Sequence, residues 1–141
     1  MPTEDNKTLA RRAYDAFNQR NLPTGYYELF APDFVLHNAS MTIQGLEAYQ
    51  QFISMYLVAF PDVRLTLEDV IAEGDQVVTR QTFRGTHQGE LMGIAPTGKQ
   101  VSGTGIVITR IANGKAIEQW ANYDDLGLMQ QLGVVPMPGQ S

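Results

Sequence analysis

The stretch that decides the fold is KAIEQWANYD, residues 115–124. The Asn-Gly pair at 113–114 is a strong hairpin signal, so this stretch is predicted to be a strand that pairs with the one before it. Alternate side chains of a strand share a face, and one face then collects Glu118, Trp120, Asn122 and Asp124. Two carboxylates, an amide and the single Trp of the chain are too polar for an ordinary core, and they predict a wet, concave pocket.

Three further strands are predicted upstream, because the hydrophobic pattern changes from helical to alternating after Pro61. They cover residues 63–72, 77–86 and 99–111. A tight turn joins the first two strands, and a loop at 89–98 joins the next two, either as a lid or as an ordinary hairpin loop. Gly103 and Gly105 alternate on one face and predict a strong bend or a close approach of another backbone.

Two helices are predicted before this meander. Apolar residues recur at helical spacing over about residues 4–19 and again from residue 45 to Pro61, which stops the second helix. A short helical segment at 26–30, short strands at 34–38 and 41–43, and a short final helix at 126–132 complete the pattern. Helices followed by a meander predict an α+β fold in which a curved, mostly antiparallel sheet wraps around the helices and encloses one pocket.

The composition narrows the classes of function. A chain of 141 residues fits one domain, expected over 1–133, with a loose tail at 134–141. The net charge of -5 disfavours nucleic acid as a partner, and the absence of cysteine excludes disulfides and thiolate metal sites. We expect no signal peptide and no contact with a membrane, and therefore a cytoplasmic protein.

Several segments point to a known family. They are FRGTHQG at 83–89, PTGK at 96–99, GKAIEQW at 114–120 and DDLGLMQQLG at 124–133, with AYDAFN at 13–18 and DFVLH at 33–37. Together these segments resemble the SnoaL-like polyketide cyclases of the NTF2-like superfamily. The resemblance implies a cone-shaped α+β barrel, a homodimer, and cofactor-independent aldol ring closure on an aromatic polyketide ester, with Asp124 as the acid/base.

Two departures from the family bear on the reaction rather than on the fold. Gln119 stands directly before Trp120, where the family often has His. The preceding strand, ending at Ile111, lacks the His that characterised cyclases place there. A non-catalytic binding module for a small apolar or polyketide-like ligand, or an isomerase or hydratase that uses the same pocket, are therefore the alternatives to a cyclase.

Asp124 and His87 are the candidate catalytic residues. An apolar pocket would raise the pKa of the Asp124 carboxyl toward neutrality, which suits a general base. Asp is also a good N-cap, so either residue fits a structural role at the start of the last helix. Asp125 is the better candidate for a plain cap, because its side chain should face the other way in the strand. His87 could carry protons beside Asp124 or could be a hydrogen-bonded structural residue.

The remaining candidates are substrate-binding groups. Arg80 could bind a carboxylate or an oxyanion, or could pair with Glu118 on a neighbouring strand. His37 is expected at the mouth of the pocket, and Tyr56 and Met92 are expected to line it. Trp120 either forms a wall for a flat ligand or fills the core. The spacing of the two His residues matches no metal-binding motif, so no metal is predicted.

Overall fold

The computed structural model describes residues 2–39 and 41–136; the predicted tail lies, from residue 137 onward, outside the described residues. Three α-helices are present: α1 (Pro2–Asn18), α2 (Leu46–Ala59) and α3 (Asp125–Leu132). A π-helical turn at Leu22–Tyr26 and a 3-10 turn at Tyr27–Leu29 lead from α1 into the sheet. No helix among the described residues is long and apolar enough to cross a membrane.

The six strands form one curved, open sheet with the order β2-β1-β6-β5-β4-β3. Neighbouring strands are antiparallel except β1 and β6, which run parallel. The strands are β1 (Phe30–Asn38), β2 (Met41–Gln44), β3 (Arg64–Glu73), β4 (Gln76–Thr86), β5 (Gln100–Ala112) and β6 (Lys115–Tyr123). The α+β class and the curved, mostly antiparallel sheet predicted from the sequence are confirmed.

Strand β1 begins four residues earlier than its apolar pattern predicts. Its register against β6 shifts between Phe30, which pairs with Ala116, and Val35, which pairs with Glu118. Pro32 lies inside this irregular stretch, where a residue without an N–H group removes no ladder hydrogen bond. The proline therefore interrupts the pairing without ending the strand.

The core lies between the sheet and the helices. Phe34, Phe60 and Leu91 are completely buried, and a chain of aromatic contacts runs from Phe17 through Tyr26, Phe30 and Phe34 to Tyr49. Large apolar groups of this kind dominate the burial energy of a small domain. They also hold α1, the π-helical turn, β1 and α2 in the arrangement that shapes the cavity described below.

Two glycines on the inner face of β5, Gly103 and Gly105, have different surroundings. A Cβ atom at Gly105 would overlap Cδ1 and Cε1 of Tyr123 on β6, whereas a Cβ at Gly103 would lie 3.7 Å from the nearest atom, Cδ1 of Phe83. Gly105 and Tyr123 are directly paired across the two strands. The Tyr123 ring therefore occupies the space that a side chain at residue 105 would need, so the close approach at Gly105 is made by a side chain rather than by backbone.

Replacing Gly105 by Ala should lower the free energy of unfolding by about 1–3 kcal/mol, the usual cost of overpacking. Urea denaturation measures this change. Gly103→Ala is the matched control, because its new methyl group meets only an ordinary van der Waals contact. Equal effects of the two substitutions would contradict the assigned role of Gly105.

Candidate active site

A cavity of about 170 Å³ lies between the inner face of the sheet and helices α1 and α2. Alternate residues of three adjacent strands form one wall, and apolar side chains of the helices form the other. The residues that these three strands contribute include Thr79, Gln81 and Phe83 from β4, Gly103, Thr104, Val107, Thr109 and Ile111 from β5, and Ala116, Gln119 and Tyr123 from β6; Phe30 and Asn38 of β1 and Leu65 of β3 also line the cavity. Most of this wall is apolar or aromatic, which is typical of small-molecule sites.

Tyrosines dominate the polar lining of the cavity. Five of the six tyrosines of the chain line it, namely Tyr14, Tyr26, Tyr49, Tyr56 and Tyr123. Burial raises the pKa of each of these phenols, in the case of Tyr14 to about 12. All five therefore stay protonated at neutral pH and can donate hydrogen bonds.

Two of these phenols lie around the Gln81 side chain. The Tyr14 hydroxyl is 3.0 Å from Oγ1 of Thr79 and donates to Oε1 of Gln81. Burial raises the pKa of Tyr123, an effect that the neighbouring Gln81 partly opposes. The side-chain amide of Gln119 donates to Oγ1 of Thr109 at 3.0 Å. Neutral hydrogen-bonding groups of α1 and of the sheet thus meet on this side of the cavity and bond to one another.

Two carboxylates border the cavity at the start of α3, the end of the cavity that forms its mouth. Asp124 is the N-cap, and its Oδ1 accepts a hydrogen bond from the Gly127 N–H at 2.9 Å. Asp125, the first residue of the helix, also borders the cavity. Partial burial raises the pKa of the Asp125 carboxyl, and the negative charge of Asp124 adds to this effect. The cap of α3 is therefore Asp124, whereas the sequence favoured Asp125 for this role.

The row Glu118, Trp120 and Asn122 lies on the outer face of the sheet, so its predicted orientation toward the cavity is wrong. The residues of β6 between them, Gln119 and Ala121, face inward instead. Asp124 reaches the rim of the cavity only because it follows the end of the strand. Glu118, Trp120 and Asn122, which were predicted to share its face, do not line the cavity.

His37 belongs to the same outer-face cluster, and the expectation that it lies at the mouth of the pocket is corrected in the same way. Its Nε2 is 2.7 Å from Oε2 of Glu118, and its ring stacks on Trp120 with 5.5 Å between centroids. Arg110 donates to the other oxygen of Glu118 and lies over the Trp120 ring. The hydrogen bond from His37 lowers the pKa of Glu118, with Arg110 contributing. These contacts join β1, β5 and β6 across the outer face.

Arg80 also points outward. Its Nε donates to Oδ2 of Asp69 at 2.6 Å, and about half of each side chain is exposed. The proposed pairing with Glu118 is therefore corrected, because Asp69 is directly opposite Arg80 on β3 whereas Glu118 is two strands away on β6. An exposed pair of this kind contributes little to stability.

His87 is completely buried but does not line the cavity. Its Nδ1 accepts a hydrogen bond from the Thr97 N–H at 3.2 Å and lies 3.0 Å from Thr97 Oγ1. His87 therefore holds the two ends of the 89–98 loop together. Within the described residues, no group of three or more His, Asp or Glu side chains is placed to hold a metal ion.

Met92 is exposed at the tip of the loop and does not line the cavity, contrary to the sequence-based expectation. The loop folds back on itself, with paired backbone hydrogen bonds between Leu91 and Ile94, and Leu91 is its buried anchor. Tyr56, by contrast, lines the cavity as predicted. Tyr14, Gln81 and Tyr123 were missed, because helical and strand periodicity alone do not distinguish a cavity wall from a filled core.

The fold and the cavity place the chain among the small α+β proteins that hold one ligand pocket against a curved sheet. Residues 8–132 match the model of the SnoaL-like polyketide cyclases, and the chain belongs to this family. The aklanonic acid methyl ester cyclases DnrD of Streptomyces peucetius and DauD of Streptomyces sp. (strain C5) are each 30% identical to it over 133 residues. These matches cover 89% of this chain, 88% of DnrD and 80% of DauD.

Solved structures show the same fold. AclR of Streptomyces galilaeus, described as a putative hydroxylase, is 31% identical with a TM-score of 0.86, and the match covers 95% of this chain and 99% of AclR. The putative polyketide cyclase IdmH of Streptomyces antibioticus is 32% identical with a TM-score of 0.78, covering 91% of this chain and 98% of IdmH. Relatives of one fold are thus assigned to different reactions.

The capping role of Asp124 can be separated from any chemical role by its effect on stability. Asp124→Ala should lower the free energy of unfolding by about 1 kcal/mol, because the Gly127 N–H loses its acceptor. Asp124→Asn should retain most of this stability, since Asn is an equally good N-cap. Denaturation with urea at neutral pH measures both changes.

Asp125→Ala is the matched control for this measurement. Its carboxylate accepts no hydrogen bond within the part of the chain that the structure describes, so the change should stay within about 0.5 kcal/mol. A larger loss for Asp125→Ala than for Asp124→Ala would contradict the assignment of the cap.

Proposed function

We propose that this chain is a polyketide cyclase-like enzyme that closes a ring by aldol-type proton transfer within a carbonyl-rich aromatic substrate. One observation carries the proposal: a mostly apolar cavity is lined by protonated phenols and bordered by two carboxylates, one of which has a raised pKa. The relatives named as aklanonic acid methyl ester cyclases support this reaction class.

The reaction requires a base, an acid and a group that stabilises an oxyanion. A carboxylate at the mouth removes a proton from the carbon next to a carbonyl group, and the electron pair is left as an enolate. The enolate carbon attacks a second carbonyl of the same molecule, and the resulting alkoxide takes up the proton, so that the atoms balance. The hydroxyl of Tyr123 is a protonated donor suited to stabilise the negatively charged oxygen, whereas the single O–H group of Tyr14 already donates to Gln81.

We assign the proton transfer to Asp125, with Asp124 as the charge that adjusts its pKa. The carboxyl of Asp125 is the one whose pKa is raised, and its charge acts on the phenols of Tyr56 and Tyr123. One oxygen of Asp124 is already engaged by the helix. The sequence-based assignment of the acid/base role to Asp124 remains a prediction, and the same experiment tests both residues.

The charges around the cavity favour an uncharged substrate. Among the described residues, its lining contains no Lys, Arg or His, and its charged groups are the two carboxylates at the mouth. A ligand carboxylate would find no cation there and would be repelled by Asp124 and Asp125. A neutral ester therefore suits this cavity better than the corresponding free acid.

Turnover of aklanonic acid methyl ester, followed by chromatography of the ring-closed product, tests the assignment. Asp125→Asn should lower kcat by about 100-fold or more, the usual contribution of a general base. Asp124→Asn should retain part of the activity and should shift the acidic limb of the pH–rate profile to lower pH. The reason for the shift is that removing the charge of Asp124 removes one cause of the raised pKa of Asp125.

Arg80→Gln is the control, since Arg80 lies on the outer face of the sheet and its loss should leave kcat unchanged. Complete loss of activity in Asp124→Asn, together with an active Asp125→Asn enzyme, would move the base to Asp124. Full activity in both variants would show that neither Asp124 nor Asp125 takes part in the reaction.

A non-catalytic binding protein is the second candidate, and one observation favours it. Within the described chain, the cavity wall away from the mouth contains phenols, hydroxyls and amides but no carboxylate or imidazole. A wild-type protein that binds the ester in calorimetry without converting it would establish this alternative. Because AclR is described as a putative hydroxylase, the products should also be analysed for added oxygen.

The homodimer and the cytoplasmic location remain predictions. The outer face of the sheet exposes Ile71 and Ile106, which a second copy of the chain would cover. We expect sedimentation velocity to show a dimer that Ile106→Asp dissociates. Val58→Asp changes an apolar residue on α2 that is even more exposed than Ile106, and it should leave the dimer intact. A wild-type monomer at every concentration would contradict the prediction.

A further inference from the structure

Tyr26 and Tyr49 form a buried phenol pair inside the cavity. Their hydroxyl oxygens are 2.6 Å apart, and only 8% and 4% of the two residues is exposed. Tyr26 ends the π-helical turn and Tyr49 lies in the first half of α2, so the pair is supplied by elements other than those that carry the mouth carboxylates. Both residues line the cavity.

The pair holds one more proton than its own hydrogen bond uses. Each phenol brings one O–H group, and the bond between the two oxygens consumes one of the two protons. Among the described residues, neither hydroxyl makes another hydrogen bond. The second O–H group therefore has a free donor capacity next to the cavity.

The surroundings make this free donor costly. Tyr49 packs against Phe30 and Phe34, and Tyr26 packs against Phe17 and Phe30. A buried donor without an acceptor is unfavourable in such an apolar setting. Two phenylalanines would fill the same space without this cost, so the hydroxyls are explained if a ligand supplies the missing acceptor.

We propose that the Tyr26–Tyr49 pair binds a neutral oxygen of a planar aromatic ligand, such as a ring carbonyl, and so provides a second point of attachment besides the mouth. This inference rests on the proposed function, because it names a feature of the substrate of the same cavity. A carbonyl suits the pair better than an anion, since no cation lines the cavity in the described part of the chain. Burial keeps both phenols protonated, so the donor persists across the physiological pH range.

The test compares the binding of two neutral probes that differ only in their ring carbonyls, 2-(hydroxymethyl)anthraquinone and 2-(hydroxymethyl)anthracene. Isothermal titration calorimetry measures the Kd of each probe for the wild-type protein and for the double variant Tyr26→Phe/Tyr49→Phe. The double variant is decisive, because a single substitution releases the other hydroxyl to replace the lost donor. Removing both partners of a hydrogen bond is nearly neutral for stability, and thermal denaturation checks that the variant is folded.

We expect the double variant to bind the anthraquinone about three- to tenfold more weakly, which is the range for loss of one neutral hydrogen bond. Its affinity for the anthracene should change less than twofold. Tyr27→Phe is the matched control, because Tyr27 packs edge-on against both rings but does not line the cavity. It should leave both affinities unchanged.

An equal loss of affinity for the two probes, no loss for either, or no binding of the anthraquinone by the wild-type protein would overturn the inference. The proposed function fails by a different result, namely the absence of ring closure by the wild-type enzyme. Carbonyl-dependent binding without turnover would therefore retain the phenol-pair site and reject the cyclase assignment.

Discussion

The register between β5 and β6 determines which side chains the cavity receives. Arg110 pairs with Glu118 but the next residue, Ile111, pairs with Ala116, so Ile117 is an extra residue in β6. Such a bulge reverses the alternation of the strand. Ala116 faces the cavity on one side of it, and Gln119 and Tyr123 face the cavity on the other. This single inserted residue directs one set of β6 side chains inward and sends Glu118, Trp120 and Asn122 to the outer face.

The two faces of β6 consequently have different chemistry. On the outer face the carboxylate of Glu118 neutralises the charge of Arg110 and also bonds to His37. The inner face offers an amide and a phenol, and Gly105 on β5 makes room for the phenol ring. Charged groups thus remain in the partly solvated layer, where their desolvation is cheap, while the cavity receives neutral donors that remain compatible with an apolar wall.

Much of the fold was predictable, because its signals are local. The turn at Asn113-Gly114, the proline that ends α2 and the change from helical to alternating periodicity each act within a few residues. The inward face of β6 was not predictable in this way, since alternation groups residues 118, 120 and 122 correctly but does not say to which side they point. The side to which they point depends on the bulge at Ile117, which is fixed by the pairing of β6 with β1 and β5. The sequence placed Asp124 at the pocket but considered Asp125 only as a helix cap, whereas Tyr14 and Tyr123 gave no signal beyond ordinary core periodicity.

The raised pKa values of the phenols and of Asp125 constrain the pH behaviour of any chemistry in this cavity. Tyr14 has a pKa of about 12, and burial raises the pKa of Tyr123 as well, so these donors do not titrate in the neutral range. Under the proposed mechanism the acidic limb of activity comes from Asp125 at the mouth, because a base acts only when deprotonated. Because the pKa of Asp125 is raised, protonation disables this base at a higher pH than it would an ordinary aspartate. The phenols therefore remain donors at neutral and acidic pH, and binding of a neutral ligand should persist at acidic pH after proton transfer has stopped.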